Sequence, residues 1–175
     1  MITVPEADYC PVCGTELGDK EVEGRKRLFC SSCDQVIWRN PKPAAGVLLQ
    51  KDSGEILLVK RGNWPNIGTW SIPAGFIEQD ERPVKAAARE LGEETSLEVD
   101  TDDLELVGDL MVQHPDGKYV IVITFSTDIS SIKGELSAGD DAQEARFWNL
   151  EDIQSSEEEL ESEALESFLQ ENSRD

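Results

Sequence analysis

The sequence predicts an α/β fold preceded by a small four-cysteine zinc ribbon. Three observations carry that prediction. Apolar runs separated by Gly, Pro, Asn and Asp clusters read as short strands. Two segments, 83–91 and 160–169, repeat apolar residues at helical spacing. All four cysteines fall before residue 34, as two Cys-x2-Cys pairs. At 175 residues the chain has room for one domain with a sizeable core plus a small module. The expected division is a ribbon over 1–40 and a larger domain over 41–175.

The ribbon comes first. Cys10, Cys13, Cys30 and Cys33 are spaced C-x2-C-x16-C-x2-C, and four thiolates at about 2.3 Å in a tetrahedron suit Zn2+. Gly14 and Asp34 follow the second cysteine of each pair, where a left-handed turn is needed. Two disulfides are the other pairing of four cysteines. The chain starts Met1-Ile2-Thr3-Val4-Pro5-Glu6 with no basic, then apolar, export signal, which argues against them. Four thiolates leave no open position for water, so the zinc is structural. A piece of about 35 residues buries too little core to fold alone, and metal binding supplies the difference. The cationic run Gly24-Arg25-Lys26-Arg27 is placed at a solvated hairpin tip, its charge offset by Glu21 and Glu23.

Trp38 to Pro43 contains two prolines and reads as an extended linker. Ala45–Gln50 follows as a strand, Asp52-Ser53-Gly54 as a turn and Ile56–Lys60 as its hairpin partner. Their continuous apolar character implies burial on both faces. Arg61 to Phe76 is a Gly- and Pro-punctuated loop segment. Pro83 suits a first helical turn, and Val84, Ala87, Ala88 and Leu91 form an apolar stripe behind it. Leu104–Gln113 and Tyr119–Ser126 are strands joined through Pro115-Asp116-Gly117. His114, the one histidine, is expected as an exposed turn residue. Glu144–Trp148 is a further strand, and Leu160, Ala164, Leu165, Phe168 and Leu169 mark a final amphipathic helix.

The chemistry concentrates between Gly75 and Leu97, which read G-x5-E-x7-R-E-U-x-E-E-x-S-U, with U a bulky aliphatic residue. On a helix Glu90, Glu93 and Glu94 stand at i, i+3 and i+4, so three carboxylates crowd one face. A hard divalent cation compensates such crowding, because Mg2+ and Mn2+ prefer oxygen ligands. The pattern resembles the Nudix box at eight of nine positions; Ser96 stands where the family has glycine. That position needs a left-handed backbone, which costs a non-glycine residue about 1 kcal/mol.

The resemblance, over roughly residues 41 to 170, implies a Nudix α/β/α sandwich around a mixed sheet. It also implies a Mg2+-dependent (or Mn2+-dependent) pyrophosphohydrolase that splits a nucleoside diphosphate linked to another moiety. The products are a nucleoside monophosphate and a phosphorylated partner. By the same resemblance Glu93 and Glu94 ligate the metal, Glu90 is a third ligand or the base, and the carbonyl of Ala74 before Gly75 is a further ligand. Arg89 anchors the loop through Glu81. A carboxylate from Asp140, Asp141 or Glu144 is the alternative base, Glu144 first.

Ribbon plus Nudix box is similar to the NADH pyrophosphatases, but their SQPWPFPxS stretch is missing after the box. Ribbon-bearing hydrolases of ADP-ribose and FAD lack it too, and ADP-ribose or FAD is the expected substrate. NADH or an oxidised nucleotide is the alternative, and an RNA- or protein-binding module on a Nudix scaffold is the alternative of another class. Arg61, Trp64 and Trp70 are the candidate substrate contacts, the tryptophans by stacking a base.

Composition bounds the partners. Lys and Arg number 16 against 37 Asp and Glu, a net charge of -21. That balance argues against nucleic acid or an anionic membrane as the main partner. An acidic excess spread along the whole chain suggests a halophilic protein, whose salt screens its repulsion for an anionic substrate. No stretch reaches 18 apolar residues, so no membrane span is expected. A cytoplasmic location is expected, with a small-molecule substrate as partner and a homodimer as the assembly left open.

Overall fold

Two units divide the chain in the computed structural model, Met1–Pro41 with Pro115–Lys118, and Lys42–His114 with Tyr119–Asp175. The structure describes residues 8–114, 117–139 and 142–172. The expected turn at Pro115 and Asp116, and the acidic pair Asp140 and Asp141, lie outside the described residues.

The first unit is a three-stranded antiparallel sheet of β1 (Gly18–Val22), β2 (Arg25–Cys30) and β3 (Gln35–Ile37), in that order. Glu23 and Gly24 take positive φ, 53° and 73°, and turn β1 into β2. Gly24 is part of the turn and Arg25 and Lys26 follow it exposed at the start of β2, with Lys26 paired to Asp19 at 2.7 Å, so the cationic run stands at the solvated end of the hairpin as expected. Gly14 and Asp34 are left-handed, φ 71° and 51°, as the cysteine spacing predicts. Among the described residues of this unit only Cys10 and Cys30 are buried. An apolar core does not hold it together.

The second unit contains β4 (Lys42–Leu49), β5 (Ile56–Arg61), β6 (Trp70–Ser71), β7 (Ala74–Phe76) and α1 (Pro83–Thr95). Then follow β8 (Glu105–Gln113), β9 (Tyr119–Thr127), β10 (Ala142–Trp148), α2 (Leu150–Ser155) and α3 (Glu163–Asn172). One sheet has the order β7-β4-β9-β8, with β4 parallel to β9 and the other pairs antiparallel; the second is β10-β5-β6. The sheet is mixed, as the resemblance implies.

Strand period 2 sorts side chains into two cores. Ala44 and Leu48 of β4 join Ile56 and Leu58 of β5 against Leu165, Phe168 and Leu169 of α3. Their neighbours Ala45, Val47, Leu49 and Leu57 pack on Ala86, Ala87 and Leu91 of α1. Both strands are thus covered on both faces, which is why they read as unbroken apolar runs.

The expected β4–β5 hairpin is corrected. The turn exists, with Gly54 at φ 90° and Lys51 N–H donating to Glu55 O, but pairing stops at one bridge between Gln50 and Ile56. β4 then leaves to pair with β7 and β9, while β5 pairs with β6 and β10. Gly46 permits this: a Cβ there would lie 2.7 Å from both Ala74 Cβ and Pro73 O. The final helix also starts later than its periodicity suggests. Leu160 lies outside α3 and forms a parallel bridge with Trp70. Among the described residues no helix is long and apolar enough to cross a membrane.

Candidate active site

The site grows from α1 and the loop that faces it. Pro83 occupies the first turn and Leu91 is buried beneath, so Arg89, Glu90 and Glu94, partly buried, and Glu93, exposed, lie on the other side of α1. Ser96 ends the helix left-handed at φ 60°, donating its N–H to Gly92 O. It adopts the glycine conformation without being glycine.

Arg89 organises the carboxylates. Its Nε and Nη2 grip Glu81 at 3.0 and 2.8 Å, Nη2 also donates to Phe76 O at 3.1 Å, and Nη1 reaches Glu90 at 2.7 Å and Glu93 at 2.9 Å. Hydrogen bonding to Arg89 holds the Glu81 carboxyl below the usual carboxylate range, and Glu81 raises the Arg89 pKa in return. Burial pushes Glu90 the other way, upwards, with Arg89 opposing it. The repulsion on this helix face is therefore relieved in part by an internal cation.

Glu94 accepts a hydrogen bond from Ala74 N–H at 3.1 Å. Glu90 packs so closely on the loop that a Cβ at Gly75 would lie 2.2 Å from its carboxylate. A larger residue at 75 has to displace the Glu90 side chain. The result is a cradle in which the Ala74–Gly75 main chain and the Glu90 and Glu94 carboxylates meet on the wall of one cavity of about 370 Å3. Its oxygen donors are of the kind a hard divalent cation takes, while the carboxylates of Glu90, Glu93 and Glu94 are not gathered within 4.8 Å of one another. Glu93 lies on the same helix face but outside the cavity lining, with its side chain 44% exposed.

The same cavity is lined by Arg61, Trp64, Glu78, His114 and Glu161 over a floor that includes Val120, Val122 and Leu165. Trp64 is exposed at the mouth. Trp70 is corrected: it is fully buried, edge-on to Trp148 with centroids 5.4 Å apart, and its Nε1 donates to Glu158 at 2.8 Å. It belongs to the core and has no free face for a base. His114 is also corrected, from an exposed turn residue to a partly buried part of the cavity wall. Glu144 projects from β10 opposite Lys60, sits 3.4 Å from Arg146 and does not line the cavity. Glu161 is the residue the sequence did not single out. Only 9% of its side chain is exposed; it accepts from Ser71 Oγ at 2.8 Å and lies 3.5 Å from Arg61 Nη1.

A second donor set lies in the first unit. One sulfur each from Cys10, Cys13, Cys30 and Cys33 fall within 4.8 Å of one another, the one His/Cys/Asp/Glu group so arranged among the described residues. Sγ of Cys13 and Cys30 are 3.5 Å apart, and those of Cys10 and Cys33 4.0 Å. Disulfide sulfurs sit at about 2.05 Å, whereas the edge of a tetrahedron with 2.3 Å zinc–sulfur bonds is about 3.8 Å. The four cysteines fit zinc.

An acidic helix is thus packed under a glycine-bearing loop, at the edge of a mixed sheet and on the wall of a cavity. The chain belongs to the NUDIX domain family, whose model matches residues 40–170. It is a Nudix pyrophosphatase. It is 39% identical over 117 residues to a Methanocaldococcus jannaschii protein named ADP-ribose pyrophosphatase, covering 67% of each chain. An RNA pyrophosphohydrolase of Pseudomonas putida is also 39% identical, over 66 residues and 38% of each chain. A crystal structure of a NUDIX hydrolase from Nitrosomonas europaea is similar with a TM-score of 0.66 and 25% identity, covering 94% of this chain and 92% of that one.

Proposed function

We propose that this chain is a Mg2+-dependent pyrophosphohydrolase of nucleoside diphosphates linked to a second moiety, with ADP-ribose, then FAD, as first substrates. One observation carries it: the Glu90–Glu94 cradle beside Gly75 and the exposed Trp64 line a single cavity. The likeness to an ADP-ribose pyrophosphatase across two thirds of both chains supports the substrate class.

Glu93 and Glu94, with the Ala74 carbonyl, are the residues to hold Mg2+ or Mn2+, and Glu90 is either a third ligand or the base. Such a cation, when bound, neutralises phosphate charge and lowers the pKa of water. Arg89 fixes Glu90 and Glu93 from behind, so that they meet the substrate already oriented. Glu90, inside the cavity, is better placed than Glu144 to take the proton of the attacking water. Trp64 stacks the base, worth ~1–3 kcal/mol, and Arg61 is the cationic side chain on the cavity wall, beside Glu161. Zinc in the cysteine cluster is structural, because four thiolates complete its coordination.

The test is turnover of a panel of ADP-ribose, FAD, NADH, diadenosine polyphosphates and 8-oxo-dGTP with Mg2+, products identified by mass. ADP-ribose should be cleaved to AMP and ribose 5-phosphate, and Glu93→Gln should abolish this without unfolding the chain. No turnover of any compound by the folded protein would replace the enzyme with a binding module.

A further inference from the structure

We propose that Glu161 is the specificity-determining residue of this cavity, selecting a nucleobase that carries an exocyclic amino group. The proposal rests on the nucleotide-hydrolase reading above and deepens it. Glu161 is fixed from three directions. Its main chain is tied to β6, where Glu161 N–H donates to Trp70 O at 2.8 Å and Trp70 N–H to Glu159 O at 2.8 Å. Ser71 Oγ donates to Oε2 at 2.8 Å. On Oε1, Asn66 Nδ2 and Arg61 Nη1 both stand at 3.5 Å, too long for strong hydrogen bonds.

An ionised carboxylate has about four lone-pair sites and donates nothing. Ser71 takes one at good distance, so acceptor capacity remains on Oε1, on a side chain nine-tenths enclosed and lining the cavity. Around it the cavity offers what a flat base needs, an apolar floor with Val122 and Leu165 and the exposed Trp64 ring. A ligand that presents N–H to Oε1 fills that capacity. A ligand that presents a carbonyl oxygen meets a carboxylate oxygen with no proton between them, and both groups lose water without a replacement. The chemistry of the wall thus favours an amino base such as adenine over its oxo counterpart hypoxanthine, whose carbonyl replaces the exocyclic amino donor and whose neighbouring ring nitrogen carries the proton instead.

The experiment compares ADP-ribose with IDP-ribose in the full-length protein with Mg2+, and titrates the protein with AMP and IMP by calorimetry. The wild type should favour ADP-ribose by about tenfold or more in kcat/KM, carried by KM, and bind AMP correspondingly tighter than IMP. Glu161→Gln keeps the shape and can donate as well as accept. It should bring the two substrates within about twofold, chiefly by improving IDP-ribose. Equal loss on both substrates in Glu161→Gln, or equal wild-type affinity for AMP and IMP, overturns the assignment. Because AMP and IMP binding is read on the wild type, the assignment stays testable if the variant misfolds. If neither nucleotide sugar is cleaved while AMP still binds tighter than IMP, the catalytic reading fails and the base selection stands.

Discussion

At the scale of single residues, Gly75 is fixed by a collision rather than by its φ. A methyl group there would fall 2.2 Å from the Glu90 carboxylate, so Gly75→Ala must push Glu90 out of the cradle. The variant should fold, because the clash is with one side chain at a cavity wall. Its kcat/KM for ADP-ribose should drop about 10²-fold or more, the usual effect of misplacing a reacting group by an ångström. Wild-type kinetics in a folded Gly75→Ala would remove Glu90 from the machinery. Arg89 is fixed by what it holds. Its side chain is 30% exposed and Glu81 only 15%, so Arg89→Ala leaves three crowded carboxylates, Glu81, Glu90 and Glu93, short of their donor. That should cost about 2 kcal/mol, after allowing for partial solvent screening. The pH dependence follows from the shifts. Glu81 has a folded pKa below its unfolded value, so its share of stability is complete above about pH 4.3 and is lost as pH falls through the lower folded value. Glu90 has the opposite sign, its raised pKa making ionisation a cost that falling pH relieves. Urea unfolding from pH 3 to 7 should show a shallower acid decline in Arg89→Ala than in the wild type. Parallel curves would mean that the Glu81 pair contributes nothing.

At the scale of elements, much was legible because local patterns dictate local structure. The helix of the box, its Pro83 start and its left-handed end at Ser96 follow from sequence spacing. So do the cysteine knuckles at Gly14 and Asp34. Adjacency in the chain misled where tertiary pairing overrode it: β4 and β5 share a turn but belong to different sheets. Long-range contacts were not legible. Local pattern marks Glu158 and Glu161 only as two acids among many, yet Glu158 clamps Lys60 and Trp70, and Glu161 meets Arg61 and Ser71, across 88 to 100 residues of chain. Helix α2 was also passed over, although Asn149 before Leu150-Glu151-Asp152 is an N-cap signal, and its side chain does accept from Glu151 N–H. The four-cysteine element yields its own prediction. With only Cys10 and Cys30 buried among its described residues, the first unit should depend on a metal bound by its four cysteines for folding. The purified chain should carry about one zinc per molecule. Stripping it with a strong chelator should make the segment around β1–β3 sensitive to protease, while the α1–β4 core stays protected. Unchanged protease resistance of the metal-free chain would show that the sheet is held by something else.

At the scale of the whole molecule, charge sets the working conditions. With 37 acids and 16 bases, carboxylates outnumber cations by 21, and ten of the acids lie after residue 150 against one arginine. Their mutual repulsion opposes folding and keeps an anionic diphosphate away from the cavity. Salt acts on both, since the Debye length shortens from about 8 Å at physiological ionic strength to about 3 Å at 1 M. The internal pairs that define the site respond less, because Glu81, Glu90 and Glu161 are mostly enclosed. The chain should therefore gain melting temperature from dilute buffer to molar KCl, and its KM for ADP-ribose should fall over the same range, while the ADP-ribose to IDP-ribose preference stays constant. Scanning Tm and initial rates against KCl checks all three. An activity optimum below ordinary cytoplasmic salt would show that the carboxylates serve solubility alone, and would withdraw the halophilic interpretation of the composition.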